Sequence, residues 1–155
     1  MAAGYSMPAS NIDKLYDFAN KELKDINFNE GCYEVDFILN GNCSYLKTLI
    51  KELSQGEKFW GQGCAEPILA IENIPIKISD IKIMGQYKDT IKFEFNGITY
   101  VKFKAKDIID TLFLKNDKQI ATIVGRGNLN TWGGKTIPQI LIDDIEFKEA
   151  EDNGF

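Results

Sequence analysis

The sequence contains no histidine, and this absence limits its chemistry more than any other feature. Ser-His-Asp and Cys-His catalysis, imidazole metal ligation and the usual general base at neutral pH all require that side chain. The acidic residues are scattered over what read as solvated faces, without the paired carboxylates of a glycosidase. We therefore expect no catalytic residues, no metal-ligand set and no independent enzyme activity in this chain.

Cysteine is scarce, and long apolar runs are missing. Cys32, Cys43 and Cys64 are odd in number and show no C-x-x-C spacing, so the sequence predicts buried free thiols rather than disulfides or a zinc site. No run approaches the ~20 apolar residues that a membrane helix needs, and the N-terminus does not resemble a signal peptide. We expect a cytoplasmic protein without a membrane partner and without a cofactor of its own.

Basic residues are outnumbered overall, giving a net charge of -5, but they are not spread evenly. From Lys77 to Lys135 there are eleven Lys and Arg and six acids, whereas residues 143–152 hold six acids and one lysine. A basic middle and an acidic end are compatible with a localised anion-binding face. A solvated surface of mixed sign would give the same pattern.

Residues 59–67, with the sequence FWGQGCAEP, separate a mostly helical part from a part made mostly of strands. Their glycines permit unusual backbone conformations, and their proline favours an extended neighbour. A bare G-x-G motif can cradle a phosphate, but no strand precedes it and no Gly-Lys-Ser/Thr follows it. We interpret the segment as a structural junction in which Phe59 and Trp60 pin the helical part onto the β part.

The helical part combines two amphipathic helices with one strand. Apolar residues at helical spacing predict a helix over residues 11–25, and alternation predicts a half-buried strand over residues 32–38. Ser44 is the expected N-cap of the second helix, which ends at Gly56. The buried stripe of this second helix consists of Leu46, Leu49, Ile50 and Leu53.

The β part has the element order of an OB-fold. Asn96-Gly97 is the strongest short hairpin signal, and Trp132-Gly133-Gly134 predicts a second turn. The predicted elements are a long, bulged strand at 68–83, two strands at 90–95 and 98–104, a short helix at 107–114, and two strands at 119–124 and 137–147. This order predicts a five-stranded Greek-key barrel of the OB type, preceded by the small helix-strand-helix segment. Other small barrels are the main alternative.

Alternation within the first hairpin predicts a basic outer face. Phe93 is expected to point into the core in the first strand, and Val101 and Phe103 are expected to do so in the second. The outer face then carries Lys92, Tyr100, Lys102 and Lys104. OB-folds bind oligonucleotides on this face with lysines on the phosphates and aromatic rings under the bases, a role that Tyr100 would fill. A lysine face that only confers solubility is the alternative.

A second group of candidate binding residues lies beside the last hairpin turn and consists of Arg126, Asn130, Trp132 and Lys135. Trp132 can stack on a base or fold back onto its own strands. Arg126 is flanked by Gly125 and Gly127, whose small size lets a phosphate approach the backbone. We therefore expect Arg126 to be the better phosphate ligand.

Three motifs in this order resemble the C-terminal region of the RecJ family of single-strand-specific DNA exonucleases. Ala2-Ala3-Gly4 before the first helix resembles the A-A-G segment at the end of the family's second catalytic subdomain. Residues 59–67 resemble its P-F-G-x-G-N-P-E-P linker, with Phe for Pro, Trp for Phe and Cys-Ala for Asn-Pro. Asn130, Trp132 and Gly134 resemble an N-x-W-x-G turn between the last two strands.

The resemblance covers nearly the whole sequence and implies a domain layout. The family's Asp-His-His phosphoesterase core, which holds divalent metal ions, lies N-terminal of this region and is absent from a chain without histidine. The implied segments are a helical remnant of a preceding catalytic subdomain at 1–28, a strand-helix segment and junction at 29–67, the OB-fold barrel at 68–149, and an acidic tail at 150–155.

The resemblance also implies a function. The chain would be the non-catalytic C-terminal part of a 5′-to-3′ exonuclease of DNA repair and recombination. Its expected role is to bind single-stranded DNA, while hydrolysis and the metal ions belong to the missing core. The alternative is a protein-interaction module that docks a partner, or the missing catalytic domain, without contacting nucleic acid.

Overall fold

The structure is a computed structural model that describes residues 7–24 and 32–150. The chain divides into two compact units, Met1–Cys32 and Tyr33–Phe155. The predicted Ala2-Ala3-Gly4 motif and residues 151–155 of the predicted acidic tail lie outside the described residues. Within the described ranges, no helix is long and apolar enough to cross a membrane.

The first unit contains the amphipathic helix predicted near the N-terminus. Helix α1 spans Ile12–Glu22 and follows a short 3-10 turn at Ala9–Asn11. The Leu23 N–H donates to the Ala19 carbonyl at 2.9 Å and closes the last turn. The predicted helix is confirmed, with slightly shorter bounds than the sequence pattern gave.

Over its described residues, 33–150, the second unit contains two helices and seven strands, and the seven strands form one sheet. Its elements are β1 Phe37–Asn40, α2 Leu46–Gln55, β2 Leu69–Lys77, β3 Lys82–Met84, β4 Thr90–Phe95, β5 Ile98–Lys102, α3 Lys106–Leu112, β6 Lys118–Trp132 and β7 Lys135–Glu149. Two 3-10 turns lie at Glu57–Phe59 and Ile78–Asp80.

The sheet follows the order β1-β2-β6-β7-β5-β4-β3. β2 and β3 are consecutive in the chain, yet they stand on opposite sides of β6, β7, β5 and β4. Because only the turn at Ile78–Asp80 joins them, the sheet must curl until its two sides meet, as in an OB-fold barrel. The predicted OB-type element order is confirmed, but the sheet has seven strands rather than five. The first predicted strand bends at that turn, and the strand before α2 joins the same sheet as β1.

The segment before the barrel differs from the prediction in its details. β1 begins at Phe37 rather than at residue 32, because its ladder to β2 begins where the Asp36 N–H donates to the Ile68 carbonyl at 2.9 Å. α2 begins after Tyr45 without a side-chain cap, so the Ser44 cap was wrong. In the predicted stripe of α2, Leu46, Leu49 and Ile50 are buried and Leu53 is partly buried against the core, and the helix ends before Gly56.

The junction folds less tightly than predicted. Phe59 is 65% exposed and pins nothing, whereas Trp60 is half-buried against Gly56, where a Cβ would lie 2.6 Å from the Trp60 ring. In a 3-10 turn neighbouring side chains point in different directions, so only one of the two rings folds back. The predicted burial of the thiols is wrong for Cys32 and Cys64, which are exposed, whereas Cys43 is partly buried against the core.

One core of apolar side chains fills the barrel and extends to α2. Alternate residues of β6 are buried from Gln119 to Gly127, as expected for a strand with one core face. α2 approaches β6 so closely that a Cβ on Gly127 would lie 3.2 Å from the Ile50 side chain. The predicted hairpin is confirmed, with both turn residues, Asn96 and Gly97, at positive φ.

Gly125 lies opposite a bulge at Asp143 of β7, where the two strands come close. A Cβ there would overlap the Leu141 carbonyl oxygen and lie 3.1 Å from the Ile142 Cα. We expect Gly125→Ala to lower the free energy of unfolding by about 2 to 3 kcal/mol, because backbone cannot yield as a flexible side chain does.

The matched control for this substitution is Gly133→Ala. No other atom of the described part of the chain lies within 4 Å of a Cβ added there, so the positive φ of 56° is what opposes the change, at about 1 kcal/mol. Urea denaturation measures both losses. Equal losses would contradict a steric role for Gly125.

Candidate nucleic-acid interface

The turn at Asn96-Gly97 determines which side chains of the first hairpin share a face. It places Phe95 opposite Ile98, and the ladder then pairs Phe93 with Tyr100 and Lys92 with Val101. Residues directly opposite each other in an antiparallel pair lie on the same face of the sheet. Tyr100 therefore points into the core with Phe93, and Val101 points outward with Lys92.

The prediction that Tyr100 lies on the outer face is therefore wrong. Its side chain is completely buried and stacks on Phe93 with 5.0 Å between the ring centroids. Burial raises the pKa of the Tyr100 phenol, and its hydroxyl has no hydrogen-bond partner within the described residues. The ring exposes no surface on which a base could stack. Phe103 shows the opposite error, because it was expected in the core and is 60% exposed.

The outer face of the barrel carries a groove of about 400 Å³. It crosses β3, β4 and β5 and reaches the projecting part of the β6–β7 hairpin. The lining residues are Met84, Thr90, Lys92, Thr99, Val101, Phe103, Asn128, Leu129, Asn130 and Gln139. The groove thus combines apolar side chains with three side-chain amides and one ammonium group.

Two flanking loops extend the groove beyond its lining. The loop between β3 and β4 carries Tyr87, which is 80% exposed. On the other side, β7 pairs with β5 only at residues 139–141, so the β6–β7 hairpin projects beyond the barrel. Trp132 and Lys135 pair at the tip of this hairpin, and Trp132 is 86% exposed. OB-folds bind oligonucleotides with this face and the corresponding two loops.

The structure brings together five of the eight predicted binding residues. Lys92 and Asn130 line the groove. Trp132 and Lys135 stand at the hairpin tip, and Lys104 follows the groove residue Phe103 in an exposed bend at the end of β5. The remaining three predicted residues, Tyr100, Lys102 and Arg126, lie elsewhere.

Lys102 and Arg126 are engaged by partners within the protein. The Lys102 ammonium donates to the Asp143 carbonyl oxygen at 2.7 Å. The Arg126 guanidinium contacts both Asp143 carboxylate oxygens at 2.6 and 2.7 Å and lies 3.7 Å from Glu66. Two carboxylates therefore balance the charge of Arg126, which is not free to meet a phosphate as predicted from its glycine neighbours.

The groove also contains residues that the sequence reasoning missed, namely Met84, Thr90, Thr99, Val101, Phe103, Asn128, Leu129 and Gln139. The ladder counted outward from Asn96-Gly97 is the signal that identifies the outer face of β5. No comparable local pattern identifies Asn128 and Gln139, which meet only because β6 and β7 pair. Among the described residues, no group of three or more acidic or cysteine side chains is placed to hold a metal ion.

The barrel order, the groove and its two loops define an OB-fold domain. The family model described as the RecJ OB domain matches residues 42–144. The chain therefore belongs to the RecJ OB domain family.

Two curated relatives extend this match over nearly the whole chain. The sequence is 30% identical over 147 residues to the putative SPbeta prophage-derived single-strand DNA-specific exonuclease YorK of Bacillus subtilis (strain 168). It has the same identity to the putative single-strand DNA-specific exonuclease yorK of Bacillus phage SPbeta. The match covers 94% of this chain but 25% of each relative, so the chain spans about a quarter of their length.

A solved structure shows the same fold. RecJ from Thermus thermophilus, in complex with Mn²⁺, aligns over 95% of this chain and 21% of its own, with a TM-score of 0.60 and 14% sequence identity. At this identity the likeness concerns the fold alone. It supports the barrel assignment independently of the family match.

Tyr100 offers a test of the corrected face. We expect Tyr100→Phe to leave the free energy of unfolding equal or higher, because it removes a buried hydroxyl without a described partner and keeps the stack on Phe93. Tyr100→Ala should lower it by about 3 to 5 kcal/mol, as for other buried aromatic side chains. Urea denaturation at neutral pH compares the two variants, and a small loss for Tyr100→Ala would contradict the core placement.

The raised pKa of Tyr100 adds a pH signature to this comparison. The folded state keeps the phenol protonated above the unfolded-state pKa of about 10. The free energy of unfolding therefore carries no penalty from Tyr100 ionisation below that pH, and it falls as the pH rises above it because the unfolded state can release the proton and the folded state cannot. Tyr100→Phe should weaken the alkaline loss of stability.

Proposed function

We propose that this chain binds single-stranded DNA along the outer-face groove. The observation that carries the proposal is the groove itself, which lies on the face that OB-folds use and is flanked by two loops with exposed aromatic rings. The two curated relatives are named as putative single-strand DNA-specific exonucleases, which favours this ligand over others.

Base stacking is the first part of the proposed interaction. Tyr87, Phe103 and Trp132 are large rings that remain mostly exposed around one groove. Exposed rings of this size contribute little to the fold, whereas a stacked base contributes about 1 to 3 kcal/mol to binding. Because every base has a π-face, three such rings favour binding with little sequence preference.

Polar groups supply the second part of the interaction. Lys92 lies inside the groove, and Lys104 and Lys135 lie near its ends. These ammonium groups are suited to phosphates of a strand whose bases stack on the rings. The amides of Asn130 and Gln139 offer both donors and acceptors to base edges. This combination of rings, amides and lysines fits an unpaired strand better than a duplex.

The domain layout belongs to the same proposal. Residues 1–28 would be the end of a preceding catalytic subdomain, residues 29–67 the connecting segment, residues 68–149 the barrel and residues 150–155 an acidic tail. In this proposal, hydrolysis and the divalent metal ions belong to an Asp-His-His core outside this chain. The present chain is then the non-catalytic part that binds DNA. A cytoplasmic location and a role in DNA repair and recombination complete the proposal.

Fluorescence anisotropy with a labelled oligothymidylate tests the function directly. We expect binding at low salt that weakens with added salt by roughly 0.7 log unit per phosphate contact and per decade of salt. A duplex of the same length should bind more weakly. No binding to the oligonucleotide at low salt would contradict the proposal and favour the protein-interaction module.

Trp132 is the sharpest single test of the stacking role. We expect Trp132→Ala to weaken oligothymidylate binding by about 1 to 3 kcal/mol while leaving the salt dependence nearly unchanged. Phe113→Ala is the matched control, since Phe113 is 69% exposed after α3 but does not line the groove. Equal effects of the two variants on affinity would argue against stacking at the hairpin tip.

A further inference from the structure

Two lysines stand directly opposite each other at the end of the groove. Lys82 of β3 pairs with Lys92 of β4 in an antiparallel ladder, so both side chains leave the same outer face. Like charges in this arrangement repel, and sheets usually avoid it. The pair is therefore a feature that the fold tolerates rather than one that stabilises it.

The neighbouring acids compensate this repulsion only in part. The Lys92 ammonium lies 3.5 Å from Glu94, whose side chain is 64% exposed, and such surface pairs contribute little. Lys82 has no ion-pair partner among the residues that the structure describes. Asp80 is the other acid of a small cavity that the two lysines line with Phe93 and Glu94.

The position of the pair connects it to the groove. Lys92 lines both the groove and the small cavity beside it, whose volume is about 230 Å³. Met84 follows Lys82 on the same face of β3 and also lines the groove. A DNA strand that lies in the groove and leaves it over β3 therefore comes within reach of Lys92 first and of Lys82 next.

The opposite end of the outer face carries the opposite charge. There a cleft between the junction and the barrel is lined by Glu57, Trp60 and Glu66, and Arg126 is already held by Asp143. This cleft shares Asn128 with the groove, so the two are neighbours. A polyanion that leaves the groove on this side meets an excess of carboxylate charge.

We propose that Lys82 and Lys92 form a phosphate-binding site through which the backbone of the bound strand leaves the groove over β3. The inference rests on the proposed single-strand binding and adds the path of the strand. A phosphate between the two ammonium groups removes their repulsion, and Lys92 exchanges Glu94 for the phosphate oxygens. The strand thereby avoids the acidic cleft at the other end.

The test compares single substitutions by anisotropy with a labelled oligothymidylate of about 12 nucleotides, within the range that one OB-fold covers. We expect Lys82→Gln to weaken binding about three- to tenfold at low salt and to reduce the salt slope by about 0.7. Lys51→Gln on the exposed side of α2 is the control and should change neither quantity. Trp132→Ala is measured alongside.

A second variant tests the exchange of partners at Lys92. We expect Glu94→Gln to tighten binding about two- to fivefold, because it frees Lys92 and removes a charge that repels the phosphate. Asp110→Asn on α3 is the control for the loss of one negative charge elsewhere. Unchanged or weaker binding by Glu94→Gln would overturn the role of Lys92.

The outcomes separate this inference from the proposed function. If the parent protein does not bind, the function itself fails. If the parent binds and Trp132→Ala weakens binding while Lys82→Gln changes neither affinity nor salt slope, the function stands and the phosphate site is overturned. Thermal unfolding of Lys82→Gln without DNA should show a melting temperature about 1 to 2 °C higher, because a like-charge pair is removed. A lower melting temperature together with weaker binding would also overturn the site.

Discussion

The register of the β4–β5 hairpin is the constraint on which the rest of the structure depends. Asn96 and Gly97 both adopt positive φ, which allows a two-residue turn and leaves the ladder no freedom to slip. One face then receives Phe93 and Tyr100, the centre of the core, and the other receives Lys92 and Val101, the floor of the groove. A shift of one residue would exchange the two faces and destroy the core and the groove together.

The sequence predicted most of the helices and strands, but it did not predict for every strand which face is buried and which is exposed. The Asn-Gly turn, most of the stripe of α2 and the order of strands, a short helix and two further strands are local signals that the structure confirms, although the first predicted strand is divided into β2 and β3. Tyr100 was misplaced because alternation was applied to each strand separately. Counting the ladder from the turn gives its true face without a structure. The exposure of Phe59 had no such signal, because it depends on the direction of a 3-10 turn.

Charge was harder to predict than shape, because the partners of a charged group come from distant parts of the chain. Arg126 meets Glu66 and Asp143, and Lys102 meets a carbonyl of β7. The excess of basic residues between 77 and 135 therefore does not form one uniform face. Some of these groups hold the barrel together, and others remain on the outer surface beside the groove. Only the folded structure separates the two roles.

The β6–β7 hairpin contributes both to the barrel, through its base, and to the outer surface beside the groove, through its tip. Its strands have 15 residues each, so it is roughly 50 Å long. β2 pairs with β6 as far as Gly125, and β5 pairs with β7 at residues 139–141, so among the described strands the four pairs from Leu129–Pro138 to Trp132–Lys135 are held by their own ladder alone. Isolated two-stranded ribbons are marginally stable in water, so amide hydrogen exchange should quicken along each strand towards Trp132. Trp132, the most exposed ring beside the groove, therefore stands where the backbone hydrogen bonds of the hairpin open most easily. The part of the same hairpin that pairs with β2 should be among the most protected against exchange.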